Sequence, residues 1–309
     1  MLKELPKPGI AAQGWPWTEE TDVKLYDALS GWPKISIVTP SYNQGKFIEE
    51  TIRSVLLQNY PNLEYIIIDG GSTDDTVEII KKYDRYINYW ISEKDGGQSN
   101  AINKGFSKAN GIIFNWVNSD DFLVKNSLFN IANAWLKNPE AVAWVGTAYM
   151  IDEIENSTTK FISKPGNKFD YGHWYYTAHI MQPACFFKKT AWLEVAGVNE
   201  NLHYTMDIDL WMRMSGLGKF VVIDEDIVCI HRHPDIKSDN ALMREAEKIA
   251  INIYNGNPKR ASEILQEYHQ YVNLKVDFNL LKKSELTYKE ISRYLFYKIK
   301  RSIKQVVKK

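Results

Sequence analysis

From residue 35 onward the chain alternates short unbroken apolar runs with stretches whose apolar residues recur every three or four positions. The first pattern predicts buried strands and the second amphipathic helices. Residues 35–39 form a strand, 40–45 a loop, and 47–57 a helix with its apolar face at Phe47, Ile48, Ile52, Val55 and Leu56. Tyr60-Pro61-Asn62 breaks that helix. A strand at 65–68 ends in Asp69-Gly70-Gly71-Ser72, and Ser72-Thr73-Asp74-Asp75 opens a helix with Val77, Ile79 and Ile80. A strand at 87–91, a Gly-rich loop at 95–98, a helix through Phe106, a strand at 112–117, a helix at 126–136 and a strand at 141–151 complete the first half. Strands and helices alternating at this spacing predict right-handed βαβ units and a mostly parallel sheet flanked by helices, an α/β fold. Residues 152–180 are irregular and aromatic. A strand at 184–187, a helix at 190–195, a helix opening at Met206 and a strand pair over 220–230 follow; helices at 240–254, 258–271 and 288–309 close the chain.

Composition narrows the classes. The chain has 309 residues, 44% apolar and 25% charged, which suits a sizeable core. Its zero net charge speaks against a general affinity for nucleic acid. Two cysteines, Cys185 and Cys229, make no disulfide framework and fit a reducing compartment, so the expected location is cytoplasmic. The first residues lack the apolar core of a secretory signal, and no run has the length to cross a bilayer. Ten Trp and 18 Tyr supply core, and their flat faces also match the C–H faces of a pyranose. The tail over 286–309 is strongly basic, with Ile291, Leu295, Ile299 and Ile303 every four residues. It reads either as a helix for an anionic membrane surface, at the inner face of the cell membrane, or as a helix packed on the protein or a partner subunit.

Polar clusters fall at four strand ends: residues 39–43, 69–72, 95–98 and 118–121. In an open α/β sheet ligands bind at that edge. The stretch IIFNWVNSDD delivers Asp120 and Asp121 there, either as oxygen ligands for a hard divalent cation or as the N-cap of the next helix. No G-x-G-x-x-G follows the first strand, and Gly45-Lys46-Phe47 lacks the rest of a phosphate-binding P-loop.

The succession PKISIVTPSYNQGKFIEETIRSVLLQ, EYIIIDGGSTDDT, SEKDGGQSNAINKG, NWVNSDD and MDIDLWMR resembles the inverting family 2 glycosyltransferases with the GT-A fold, over residues 33–238. The resemblance implies sugar transfer, of hexosyltransferase type, from a nucleotide diphosphate donor to an acceptor hydroxyl with Mg²⁺ or Mn²⁺, in cell-surface polysaccharide or glycan assembly. Thr39, Pro40 and Tyr42 sit where the family packs on base and ribose, or form a plain turn. Asp69 matches the acid that binds the base, although Gly70 replaces the usual second acid. Gly97, Gln98 and Asn103 match the next donor-binding segment, which commonly reads Ala-Arg-Asn and here reads Ala101-Ile102-Asn103; the two glycines otherwise only make the turn. Asp120 and Asp121 match the D-x-D region with Asn118 in its first place, Asp121 as direct metal ligand and Asp120 on ribose or metal. Asp207 matches the catalytic base, with Met206 where Glu is common, or is a helix cap; Asp209 faces elsewhere and is structural. His233 matches a metal-reaching histidine, with Arg232 and Ser238 near phosphate, or is a satisfied surface or core group. Trp174, Tyr175 and Gln182 line a groove for a saccharide or lipid-linked saccharide acceptor, or pack as core.

The expected organisation is an arm over 1–32 with a short helix near 22–29, the transferase domain over 33–238 divided at 151 into nucleotide-sugar and acceptor halves, and a helical extension over 239–309. Two other classes remain: a catalytically inactive sugar-nucleotide binding protein, and a sugar-phosphate nucleotidyltransferase, which would need the triphosphate loop that residues 40–46 lack.

Overall fold

The computed structural model of the chain describes residues 1–9, 11–27, 31–173, 177–234, 241–269, 290 and 293–294. Contacts group it into two compact units. The first contains Met1–Pro165, His179–Gly197 and Leu217–Pro234, the second Gly166–Ala178, Val198–Gly216 and Asp235–Lys309.

Among the described residues of the first unit, nine strands form one sheet. They are β1 (Ile35–Ser41), β2 (Leu63–Asp69), β3 (Tyr89–Ser92), β4 (Ile113–Trp116), β5 (Asp121–Leu123), β6 (Ala143–Asp152), β7 (Ser157–Phe161), β8 (Cys185–Lys188) and β9 (Phe220–Arg232). The order is β3-β2-β1-β4-β8-β6-β9-β5, with β7 beside β6. β3, β2, β1 and β4 run parallel, β8 enters antiparallel, and β6 and β9 pair in parallel, so most paired residues are parallel, as the alternation predicts. β1 is buried at every position and β2 at all but Leu63. That is the signature of central strands covered on both faces.

Helices α1 (Ile48–Leu56), α2 (Thr76–Lys82), α3 (Gln98–Lys108), α4 (Ser127–Lys137) and α5 (Lys189–Glu194) flank the sheet. α1 buries Ile48, Ile52, Val55 and Leu56, the face expected from its period, each side chain contributing about 1.5–3 kcal/mol. On α3, Gly105 sits so near β1 that a Cβ would lie 2.4 Å from Val38 Cγ1. The first 27 residues belong to this unit. Among their described residues only Val23–Tyr26 is helical, as one 3₁₀ turn capped by Asp22.

Three differences from the expected elements have physical causes. β5 is three residues long, below any detectable period, and exists because β9 pairs with it. β7 is exposed at all but Phe161, so it carries no apolar signal. The expected strand pair over 220–230 is one 13-residue strand. Its acidic middle, Asp224–Asp226, coincides with a register shift against Val145–Ala148, where a Cβ on Gly146 would lie 2.2 Å from Ile227 Cγ1. A bulge, not a turn, absorbs those residues.

The second unit contains α6 (Met206–Met214), α7 (Ala241–Tyr254) and α8 (Pro258–His269), with a 3₁₀ turn at Asp170–His173. Arg260 Nε donates to the Gly172 carbonyl at 3.1 Å and ties α8 to that turn. The expected last helix and the basic tail over 286–309 lie outside the described residues apart from 290 and 293–294. No described helix is long and apolar enough to cross a membrane.

Candidate active site

In the first unit, β1, β2 and β4 place the polar clusters on one edge of the sheet. The loop after β1 is stitched to the loop after β2: Asn43 N donates to Ser72 Oγ at 2.7 Å, Gln44 N to Thr76 Oγ1 at 2.8 Å and Gly45 N to Asp74 Oδ2 at 2.9 Å, while Thr73 N donates back to Asn43 Oδ1 at 2.9 Å. Thr39 and Pro40 are buried within β1, and the Thr39 hydroxyl meets Tyr65 Oη at 3.1 Å. Tyr42 stands 61% exposed on the same loop, so it is the residue of that trio with a ring free to stack.

Asp69 is fully buried and holds its own loop. Its carboxylate accepts from Gly71 N at 3.1 Å, Ser72 N at 2.9 Å, Ser72 Oγ at 2.5 Å and Ser92 Oγ at 2.6 Å. Gly70 has a spatial cause: a Cβ there would lie 3.2 Å from Asp95 Oδ2, so a second acid would confront a carboxylate already in place. Asp95 Oδ1 in turn accepts from Gly97 N at 2.7 Å, and Gly97, at φ +100°, begins α3.

Gln98, Asn118 and Asp121 are brought together. Gln98 Nε2 donates to Asn118 Oδ1 at 2.8 Å, and Asn118 Nδ2 donates to Asp121 Oδ2 at 3.0 Å. Asn118 thus stabilises Asp121 where a first acid would repel it. Asp121 is buried, and its carboxyl is pushed well above the usual carboxylate range by burial and by the neighbouring Asp120 charge. It opens β5 instead of capping a helix, because α4 begins six residues later behind Asn126.

β5 pairs with β9, and β9 leads to His233. His233 is buried, its ring 4.6 Å from that of Phe47, and its Nε2 lies 3.3 Å from Asp120 Oδ2. The Asp120 carboxylate holds the imidazole above its ordinary value. His231 lies between the rings of Phe47 and Phe122, and burial pulls it down. Arg232 donates to Asp152 Oδ2 at 2.7 Å.

Asn103 lies half-buried on α3, where its Oδ1 would be 2.6 Å from a Cβ on Gly197, and Ile102 is fully buried. Gln182 is buried and committed to β4, donating from Nε2 to the Trp116 carbonyl at 2.8 Å, while Asn115 Nδ2 donates to the Pro183 carbonyl at 2.8 Å. Trp174, Tyr175 and Ser238 lie outside the described residues.

Mg²⁺ or Mn²⁺ is the cation that the family resemblance implies. Asp120 and Asp121 crowd two carboxylates together, Asp121 has no cationic side chain as partner among the described residues, and the oxygen and imidazole donors suit these ions. Among the described residues no group of three or more His, Cys, Asp or Glu side chains is placed to hold a metal ion. The two carboxylates are still enough for Mg²⁺, which takes one or two from the protein and completes its shell with substrate phosphate and water.

In the second unit, Asp207 is the second residue of α6, behind the N-cap Thr205. It is therefore not the cap, and its Oδ1 accepts from Ile208 N at 2.9 Å. Burial, with the Glu247 charge adding to it, raises its carboxyl to about 6. Asp209 is buried and paired with Arg213, at 2.9 Å from Nε and 2.8 Å from Nη2, and with Asn255 Nδ2 at 3.2 Å, a structural role.

Four polar strand ends on a doubly covered α/β sheet, with the buried Asp121 beside a half-buried Asp120, are the arrangement of a nucleotide-binding transferase of the GT-A type. The profile of glycosyl transferase family 2 matches residues 36–195, and the chain belongs to that family. It is a glycosyltransferase. It is 28% identical over 230 residues to the uncharacterized glycosyltransferase RT0329 of Rickettsia typhi, covering 70% of this chain and 69% of the relative. To the chondroitin synthase of Escherichia coli it is 30% identical over 205 residues, covering 65% of this chain and 29% of that protein. In fold it is similar to S. aureus TarS 1-349 in complex with UDP-GlcNAc, at a TM-score of 0.60, 18% identity and coverage of 77% and 73%. It is also similar to the mannosyltransferase PcManGT of Pyrobaculum calidifontis in complex with GDP-Man and Mn²⁺, at a TM-score of 0.53, 15% identity and coverage of 89% and 88%.

The sequence reading missed the stitching of the first two loops, the bridging role of Asn118, and Glu247. Asn43, Ser72 and Asp74 are ordinary turn residues in sequence, and nothing in the chain signals that they meet across 29 positions.

Proposed function

We propose that this chain is a metal-dependent, inverting glycosyltransferase that moves a sugar from a nucleotide diphosphate donor to the hydroxyl of a saccharide or lipid-linked saccharide. Its setting is the cytoplasmic side of the cell membrane, in the assembly of a cell-surface polysaccharide. The carrying observation is the buried Asp121, braced by Asn118 and pushed up by burial and Asp120, at the strand edge where the donor binds. A chondroitin synthase among the relatives, and fold neighbours holding UDP-GlcNAc or GDP-Man with Mn²⁺, support the donor class and the setting.

In this reading Asp121 and Asp120 would hold Mg²⁺ or Mn²⁺, and His233, now 3.3 Å from Asp120, would turn to the ion once donor phosphate completes its shell. The ion supplies positive charge against the leaving diphosphate, an effect of several kcal/mol. Tyr42 and Asp69 with its serine loop receive the nucleoside, and Gly97, Gln98 and the N-terminus of α3 face the phosphates, where amide N–H groups favour anions. Asp207 is the base that takes the proton of the acceptor hydroxyl. Its carboxyl near 6 is ionised at neutral pH yet basic enough to accept a proton, worth about 10²–10⁴-fold in rate. One carboxylate suffices for inversion, whereas retention would need two about 5 Å apart.

The test is donor turnover, read as release of UDP or GDP from UDP-GlcNAc, UDP-glucose and GDP-mannose with Mn²⁺, alongside thermal shifts of the same mixtures. Wild type is expected to turn over one donor and Asp207→Asn to lose about 10²–10⁴-fold while still binding it. Asp121→Asn is expected to abolish the Mn²⁺-dependent part of the thermal shift. A donor that stabilises the chain equally with and without metal counts against Asp121 as ligand, and tight binding with no turnover on any acceptor favours an inactive binding protein. Co-sedimentation with anionic liposomes is expected to disappear on deletion of residues 286–309; binding that survives the deletion removes the tail from the membrane reading.

A further inference from the structure

We infer that Glu247 is a positioning residue for Asp207: from α7 its carboxylate grips the turn that leads into α6 and thereby sets the direction of the Asp207 side chain. The inference rests on Asp207 as the base.

Glu247 is 1% exposed. Its Oε1 accepts from His203 N at 2.8 Å, and its Oε2 from Tyr204 N at 2.8 Å, Thr205 N at 3.0 Å and Thr205 Oγ1 at 3.1 Å. A buried carboxylate is costly unless its lone pairs are filled, and no described lysine or arginine pairs with this one. Three consecutive amides and a hydroxyl compensate it instead.

Thr205 shows that the tie does more than start a helix. As N-cap residue its hydroxyl would ordinarily accept from an amide of the first turn. Here it makes no capping bond and donates to Glu247, 42 positions away. The local cap is given up for a long-range clamp, and Asp207 stands two residues beyond it. The charged groups facing Asp207 from α7 are Glu247 and Lys248, of opposite effect; on α6 itself Asp209 and Arg213 pair with each other. A buried acid on α7 therefore controls both the backbone beneath the base and the field around it.

The test uses the full-length chain with the donor that wild type hydrolyses fastest among UDP-GlcNAc, UDP-glucose and GDP-mannose in Mn²⁺. Glu247→Gln is expected to lower kcat about 10- to 100-fold, since small misplacements of a catalytic group cost that much, with nucleotide Kd unchanged. The acid limb of its kcat–pH profile is expected to move below that of wild type, because a negative charge facing Asp207 is gone. Glu247→Asp should recover part of the rate. Thr205→Val, which removes one hydroxyl, should lower kcat about 3- to 10-fold, and the double variant should fall no further than Glu247→Gln alone, as for two groups in one network. If Glu247→Gln does not fold, Thr205→Val alone decides. An unchanged kcat, an equal loss of donor affinity, or an unmoved acid limb overturns the positioning role. Turnover retained by Asp207→Asn overturns the base assignment and this inference with it, whereas an inactive Asp207→Asn beside a fully active Glu247→Gln overturns this inference alone.

Discussion

At Asp207 the carboxyl lies near 6 in the folded chain against 3.8 in an open one. The folded state therefore binds this proton more tightly, and ionisation costs stability as pH rises through the interval between the two values. Asp207→Asn, besides losing turnover, is expected to stabilise the protein by about 1–3 kcal/mol at pH 8 and by nothing below about pH 4, as measured by denaturant unfolding at each pH. An equal effect at both pH values would mean that the gain is not electrostatic. Asn118 carries the companion prediction. Its amide donates to Asp121, so Asn118→Asp replaces a donor by a third carboxylate. In EDTA the variant is expected to melt lower than wild type by about 2–6 °C, for about 1–2 kcal/mol of repulsion and lost hydrogen bond. Adding Mn²⁺ with UDP should recover that loss and raise the apparent metal affinity. A variant with wild-type melting in EDTA would show that the Asn118 bridge does not brace Asp121.

Among the elements, β2 shows how one side chain registers a parallel sheet. Glu64, its second residue, accepts from Lys34 Nζ at 2.8 Å, Ser36 Oγ at 2.5 Å and Asn110 N at 2.6 Å, joining β1, β2 and the turn into β4. Burial opposes its charge, but these three donors outweigh it and hold the carboxyl down to about 2. The stabilisation is fully present above the ordinary value of 4.5 and is lost as pH falls from there towards 2. Glu64→Gln is expected to lower stability by about 1–3 kcal/mol at pH 7, with the gap to wild type closing over that acid window. A gap that persists at pH 2.5 would assign the loss to packing. This cluster lies at the amino ends of the strands, opposite the polar loops, so the variant should keep the donor affinity of wild type when folded.

For the molecule as a whole, the described residues among the first 17 tie onto the first unit, with Leu5 in its core and Leu2 and Trp15 packed against it. Arg53 on α1 is 1% exposed and donates to the carbonyls of Pro6 and Pro16 at 3.1 Å and of Trp17 at 2.9 Å, while Gly9 N reaches Glu49 Oε2 at 2.9 Å and Trp15 Nε1 the Leu123 carbonyl at 2.7 Å. Removing residues 1–17 takes away three of that guanidinium's acceptors and leaves only Tyr83 Oη, at 3.3 Å, among those described. The expected cost is about 3–5 kcal/mol, read as a fall of about 6–15 °C in Tm. Arg53→Met in the shortened chain should restore part of it. A shortened chain that melts like the full one would show the arm to be a passive cover.

The alternation of periods in the first 150 residues was enough to place β1 to β4 and α1 to α4, because buried parallel strands and amphipathic helices each leave a local signature. The family motifs likewise single out Asp69, Gly97, Asp120, Asp121 and Asp207 as candidates, since each sits in a short contiguous run of residues. Tertiary structure alone decided that Asp121 opens a strand, because only pairing with β9 makes three residues a strand. It alone decided that Gly70 yields to Asp95, that Asn118 braces Asp121, and that Glu247 holds the entrance to α6. Those facts depend on side chains far apart in the chain meeting at hydrogen-bond distance, and a linear pattern carries no record of such meetings.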